Sequence, residues 1–277
     1  MPDRVVRAGD VALAASDDGA GTPVVLLHGL TASRRYVVMG SSALQRAGHR
    51  CVAYDARGHG SSSPAPAPER YGYGELTEDL VALLDALEIE RAVFAGASMG
   101  AHTALRLALE QPERVAAVAV ITPGYDPVEF DDPQRLVRWD ALSDALRHGG
   151  IDAFVEAFGV QRLPEAWRDT LATVMRQRLA VHEHLDAVAD ALRAVPRSRP
   201  FGDLHALEQI ERPAVVVASR DEADPGHPLA LAEAYAALLP RGRLVVEEPG
   251  CSPLAWQGGR LSRVIAELAA RADREPS

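Results

Sequence analysis

The sequence predicts an α/β fold with a mostly parallel central sheet, helices on both faces and a helical insertion. Three observations predict it. Short apolar runs alternate with helix-spaced segments over the first 121 residues, the alternation lapses from Asp126 to about His205 in charged helical text, and strand character returns at Ala214-Val215-Val216-Val217-Ala218. A chain of 277 residues is long enough to bury a sizeable core as one large domain carrying an insertion. The boundaries expected are residues 1–125 and 206–277 for the core domain and 126–205 for a helical cap.

The elements follow in order. Val24-Val25-Leu26-Leu27 is a buried-strand run that stops at His28-Gly29, and Cys51-Val52-Ala53-Tyr54 is a second that stops at Asp55. Tyr36 to Ala47 between them is expected to be a helix closed by Gly48. After the Pro-rich loop Ser63 to Pro68, the segment Glu75 to Leu87 places Leu76, Leu80, Leu83, Leu84 and Leu87 on one helical face. Ala92-Val93-Phe94-Ala95 is a strand, Met99 to Glu110 a helix ending near Pro112, and Val115 to Ile121 another strand. In the insertion, Pro133 to Arg147, Ile151 to Phe158 and Pro164 to Ala194 are the expected helices. The chain closes with a helix from Leu229 to Leu239, a strand Leu244-Val245-Val246-Glu247 and a helix from Leu261 to Ala270.

Composition excludes several function classes. All 29 basic residues are arginine, because the chain contains neither Lys nor Asn. Schiff-base catalysis, lysine-anchored pyridoxal phosphate and a Walker-type phosphate loop each need an ammonium that this chain lacks. With 39 acidic residues the formal net charge is −10, and no basic run offers a nucleic acid the positive face it needs. Cys51 and Cys251 stand far apart, which gives neither a disulfide framework nor a zinc spacing. No cofactor and no metal are expected. The first fifteen residues lack the apolar centre of a signal peptide and no apolar run approaches a membrane span, so a cytoplasmic protein acting on a small molecule is expected, without nucleic-acid or membrane partners. Oligomeric state leaves no signal.

The sharpest chemical feature is Gly96-Ala97-Ser98-Met99-Gly100, a G-x-S-x-G sequence between the strand at Ala92–Ala95 and the following helix. Small residues flanking Ser98 permit a tight strand-to-helix turn that lifts the hydroxyl to a helix N-terminus, where N–H groups and the helix dipole favour developing negative charge. With this context the chain resembles the α/β-hydrolase superfamily. The resemblance also rests on His28-Gly29, on Asp55-Ala56-Arg57-Gly58-His59-Gly60-Ser61-Ser62, on Gln111-Pro112-Glu113-Arg114-Val115 and on the segment from Ala214 to Ala255. It implies an α/β-hydrolase fold in which Ser98 is the nucleophile and the backbone N–H groups of Leu30 and Met99 form the oxyanion hole. It further implies a triad acid just after the strand that follows the cap, which points to Asp221, with Asp224 three residues on and Asp126 as alternatives.

The family pattern breaks at the base. Where the resemblance calls for a histidine after the last strand, the chain has Gly250-Cys251-Ser252-Pro253, and no His follows His227. Losing one triad member typically costs about 10⁴ to 10⁶ in rate, and a thiol beside a carboxylate is a poor substitute for imidazole. Four readings compete. A histidine is recruited from elsewhere: His227, set between Pro225 and Pro228 at a helix entry, or His102 on the nucleophile helix, with His182 and His184 in the cap as further sources and His28 and His59 expected to serve structure. Alternatively the oxyanion hole alone serves a cyclase, a lyase or an activated ester or lactone; or Cys251 is itself reactive; or the domain binds a small molecule without chemistry. The expected activity is hydrolysis of an ester or lactone of a small, largely apolar substrate through Ser98. Trp139, Phe154, Phe158, Trp167 and Met175 are candidate pocket residues or the cap's own core.

Overall fold

Apolar runs too short for helices and bounded by Gly, Pro and Asp assemble into one sheet of eight strands. The computed structural model describes residues 3–220, 222, 224, 226–250 and 258–274. The chain runs through β1 (Asp3–Ala8), β2 (Val11–Asp18), β3 (Pro23–Leu27), α1 (Ala43–Arg46), β4 (Arg50–Tyr54), α2 (Tyr73–Ala86), β5 (Ala92–Ala97) and α3 (Met99–Glu110). It continues with β6 (Val115–Ile121), α4 (Pro133–Phe158), α5 (Glu165–Leu179), α6 (Leu185–Ala194), β7 (Ala214–Ala218), α7 (Leu229–Leu238), β8 (Gly242–Val246) and α8 (Gly258–Arg274). Strand order is β1-β2-β4-β3-β5-β6-β7-β8. The β1–β2 and β2–β4 pairs are antiparallel and every other pair is parallel, as the α/β-hydrolase fold expected from the sequence requires.

Alternate residues of the parallel strands feed two cores. Val25, Leu27, Val52, Phe94, Val118, Val120 and Val216 face α2, α3 and α7, where Leu80, Leu84, Leu105 and Tyr235 are buried. Val24, Leu26, Cys51, Val93, Ala117, Ala119, Val215 and Val217 face α8 through Leu261, Ile265 and Leu268. Burial on both faces explains why these strands are continuous apolar runs. The inserted helices have their own core, in which Leu142, Leu146, Phe154, Val155, Val188 and Leu192 are buried, and the Ser143 hydroxyl ties α4 to α6 by donating to Ala189 O at 2.7 Å.

Three local expectations are corrected. The β1–β2 hairpin is absent from the sequence reading, because Ala12, Ala14 and Ala15 carry little strand preference; pairing to β4 and the Arg50 guanidinium on Asp17 at 2.9 Å hold it. The helix expected from Tyr36 to Ala47 shrinks to α1, since Met39 and Gly40 take φ of 45° and 71° and interrupt it. The single helix expected from Pro164 to Ala194 is two, α5 and α6, separated at residues 180–184. The separation expected between Arg147 and Ile151 is present inside α4, where Gly150 takes φ 70° and ψ −160°. No helix among the described residues is long and apolar enough to cross a membrane.

Because β3 and β5 to β8 are parallel, the segments leaving their C-terminal ends emerge along one edge of the sheet. His28–Thr31 follows β3, Ser98 follows β5, residues 122–126 follow β6 and residues 219–227 follow β7. In open parallel sheets this edge is where ligands bind.

Candidate active site

Ser98 sits at φ 48° and ψ −109°, a left-handed conformation that a non-glycine residue adopts only when its surroundings enforce it. Its flanking glycines are sterically required. A Cβ on Gly96 would stand 2.3 Å from the Gly100 carbonyl carbon, and one on Gly100 would stand 2.3 Å from Leu27 O. The Ser98 N–H donates to Ile121 O at 2.9 Å, which ties the turn to β6. The hydroxyl is thereby held at the start of α3, whose first N–H groups have no partner within the helix.

The imidazole that meets the Ser98 hydroxyl is that of His227. Its Nε2 lies 2.9 Å from Ser98 Oγ, and its Nδ1 lies 2.8 Å from Asp224 Oδ2. The distances fit one proton arrangement: Nδ1–H donates to the carboxylate and Nε2 accepts from the serine hydroxyl. The His227 and Asp224 side chains are 26% and 32% exposed, so the pair is open to substrate yet partly shielded from water. Burial by itself would lower the His227 pKa, but the charge and hydrogen bond of Asp224 outweigh it, and the net shift is upward with the Arg178 charge opposing. Burial would raise the Asp224 pKa; the charge and hydrogen bond of His227, then Arg178, then the Gly226 N–H hold it below the usual carboxylate range.

The loop after β6 braces this imidazole. A Cβ on Gly124 would stand 2.9 Å from His227 Cδ2, so the glycine leaves room for the ring. Thr122, at the start of the loop, has φ 44°, rare for a β-branched residue. His102 holds the same loop from below. Its Nε2 accepts the N–H groups of Gly124 at 3.3 Å and Tyr125 at 3.2 Å, which puts its proton on Nδ1, 3.1 Å from the Tyr73 hydroxyl. Burial, with the His227 charge second, pushes the His102 pKa down to about 3, so its ring is neutral.

The loop after β3 lies beside the elbow, since a Cβ on Gly29 would be 3.6 Å from Ser98 Cβ. A frame of three histidines fixes it. His28 Nε2 accepts from Ala56 N at 2.9 Å, and its Nδ1 lies 2.8 Å from Gly29 O. His59 lies 2.9 Å from Arg57 O through Nδ1 and 2.7 Å from Leu30 O through Nε2. His182 Nδ1 accepts from Gly60 N at 2.7 Å, and its Nε2 lies 3.2 Å from Thr31 O. Below them the Arg57 guanidinium grips the buried Asp79 carboxylate with two bonds of 2.7 Å, and Asp55 takes Arg34 N at 2.7 Å. The D-x-R-G-x-G-x-S segment is therefore scaffolding for the loop that carries Leu30.

Of the residues expected from the sequence, Ser98, Met99 and Leu30 lie together, and His227 and Asp224 join them. Asp221 and Cys251 lie outside the described residues. His102 is one loop behind the site rather than on the Ser98 hydroxyl, and Asp126 caps its own loop by accepting from Val128 N at 2.8 Å. Phe154 is buried among the inserted helices with Trp139, Phe158 and Met175 packed against the same core. The other cysteine, Cys51, is buried in β4, where burial, then Asp18 and Asp17, push its pKa up to about 12. A groove of about 580 Å³ between Pro64–Pro68 and α6 is lined by neither Ser98 nor His227. Sequence reasoning missed Thr122, Gly124 and Arg178; the Thr-Pro-Gly turn after β6 was the one signal for the first two.

Comparison with known proteins agrees with this architecture. Residues 22–214, well over half of the chain, match the family model for the alpha/beta hydrolase fold. A protein named "Putative carbamate hydrolase RutD" from Pseudomonas savastanoi pv. phaseolicola is 30% identical over 232 residues, covering 82% of this chain and 85% of its own. An esterase from Thermogutta terrifontis superposes with a TM-score of 0.80 over 98% of this chain and 99% of its own at 23% identity, a likeness of fold. Est816, described as an N-acyl homoserine lactone degrading enzyme, superposes with a TM-score of 0.75 at 25% identity, over 96% of this chain and 99% of its own. With its sheet order, its elbow and this match, the chain belongs to the α/β-hydrolase family.

Proposed function

We propose that the protein is a serine hydrolase that cleaves an ester or lactone of a small substrate with Ser98 as nucleophile, His227 as base and Asp224 as the acid that orients it. One observation carries the reading: the continuous chain of hydrogen bonds from Ser98 Oγ to His227 Nε2 at 2.9 Å and from His227 Nδ1 to Asp224 at 2.8 Å. Ser98 Oγ attacks the carbonyl carbon while its proton passes to His227 Nε2. Met99 N–H and Leu30 N–H receive the oxyanion, a contribution of about 3 kcal/mol per donor in such sites. The imidazolium, steadied by Asp224, gives its proton to the leaving oxygen, and a water activated by the same nitrogen releases the acid. The carbamate in the Pseudomonas relative's name is also a carbonyl open to this attack, and the lactone named for Est816 fits it directly. The inserted helices serve as a cap over the acyl pocket.

A fluorophosphonate probe and a p-nitrophenyl ester test the reading. Labelling at one site, lost together with ester hydrolysis in Ser98→Ala and His227→Ala, is the expected result. A folded wild-type protein that is neither labelled nor active on activated esters would overturn it.

A further inference from the structure

Arg178 differs from several of the arginines around it, and like Arg135 it keeps a buried Nε without a partner. On the inserted helices, Arg147, Arg176, Arg193 and Arg197 are ion-paired with Asp190, Asp152, Asp144 and Asp140 at the surface. Arg178, at the end of α5, is half-buried and forms no ion pair among the described residues. Its Nη2 donates to Thr31 Oγ1 at 3.0 Å, its guanidinium carbon lies 5.8 Å from the Tyr36 ring centroid, and its Nε is buried without a partner. Thr31 is the residue after Leu30, so the cation is held at the wall of the site beside the loop that carries one oxyanion donor. The carboxylate whose charge bears on it is Asp224, which is already bonded to His227. A partly desolvated guanidinium without a counter-ion costs folding energy, and in a chain of net charge −10 carboxylates are abundant. Among the described residues the cation has no counter-ion of its own, and it stands beside the loop that carries Leu30.

We infer that Arg178 receives an anionic group of the substrate, so that the preferred substrate is an ester or lactone whose acyl part ends in a carboxylate. The inference rests on the Ser98 reading for the reaction and on Arg178 for the substrate class. The carbonyl sits between Ser98 Oγ and Leu30 N–H, and a short acyl chain runs along the loop after β3 to the guanidinium. Arginine suits this role, because its planar fork offers a carboxylate two parallel N–H bonds and keeps its charge when partly buried. With no lysine in the chain, it is also the only fixed cation available.

The test compares mono-p-nitrophenyl glutarate with p-nitrophenyl valerate, two acyl chains of equal length that differ in the terminal carboxylate. The readout is the ratio of their kcat/KM values within each protein. Wild type is expected to favour the glutarate ester roughly 10- to 100-fold, the worth of a hydrogen bond to a charged group. R178Q is expected to bring the ratio to about 1 or below, because the carboxylate then faces Asp224 without a cation, and R178K to retain part of it. If Arg178 only tethers α5 to Thr31, both rates fall together and the ratio stays, which overturns the inference. A wild-type ratio near 1 overturns it without any variant. Should neither ester be turned over, the Ser98 reading fails on its own, while a thermal shift with glutarate that is lost in R178Q still supports the anion site and its absence refutes it.

Discussion

Asp224→Asn replaces the group that sets both the orientation and the basicity of His227. In wild type the carboxylate accepts the Nδ1–H at 2.8 Å, which leaves Nε2 free to accept from Ser98 at 2.9 Å. An amide in its place presents an NH₂ to Nδ1 and selects the opposite tautomer, with the proton on Nε2 aimed at the serine oxygen. The serine then has no acceptor for its proton. The expected loss in kcat is about 10⁴-fold, equivalent to about 5.4 kcal/mol of barrier. A second effect concerns pH. The base works only when neutral, so wild-type activity falls as pH drops through the raised His227 pKa, above 6.5. Without the carboxylate, burial and the Arg178 charge both pull that pKa down, and the acid limb of the residual activity moves to lower pH. The assay is kcat/KM on an activated ester from pH 4 to 9, with Asp221→Asn and Cys251→Ala measured beside it and expected to stay within a few-fold of wild type. A loss below tenfold with an unmoved limb, or a 10⁴-fold loss in Asp221→Asn instead, would refute the assignment of Asp224.

Other perturbations probe the supports. Gly124→Val places a Cβ 2.9 Å from His227 Cδ2 and must push the ring away from Ser98; kcat should fall about 10²-fold with little change in melting temperature. His102→Leu strips the acceptor from two backbone N–H groups and should cost about 1–3 kcal/mol in a denaturant titration while lowering kcat through the loosened loop. Asp79→Ala leaves the Arg57 guanidinium buried without its partner and should destabilise the protein by about 3–5 kcal/mol, measured by urea unfolding.

The parts of this fold that were legible in the sequence are those where a steric rule acts on neighbouring residues. Strands buried on both faces must be continuously apolar, which marks β3, β4, β5, β6 and β7. The elbow demands small residues on either side of Ser98 because the backbone of Gly100 passes against Leu27, and the demand appears as a G-x-S-x-G string. The β1–β2 hairpin was hidden because Arg, Asp and Ala interrupt its apolar positions, although Val6, Val11 and Leu13 are buried in the core and Asp17 pairs with Arg50. Which histidine meets Ser98 was hidden for a different reason. Asp224 and His227 lie in the irregular segment between β7 and α7, where neither the two-residue nor the 3.6-residue period applies and side-chain direction depends on the path of the chain. The resemblance to relatives pointed to Asp221 and to the position of Cys251, both outside the described residues. Arg178 was equally silent, since an arginine near a helix C-terminus is ordinarily a solvated charge.

That Asp224 and His227 can share one loop and still reach Ser98 follows from strand order. β5, β6 and β7 are adjacent and parallel, so the segments leaving their ends stand side by side with the β6 segment in the middle. Adjacent strands are about 4.8 Å apart, and the β7 segment must therefore reach back over roughly 10 Å to bring a side chain onto Ser98. The middle segment decides whether it arrives. A side chain at position 124 would stand where the His227 ring lies, and glycine at that position opens the path. His102 then fixes the height of the glycine, drawing the Gly124 and Tyr125 N–H groups down toward α3. Two histidines thus share one support, the neutral His102 beneath the loop setting the surface on which His227 rests. On this argument a residue larger than glycine at position 124 and a base at position 227 exclude each other, whatever occupies position 251.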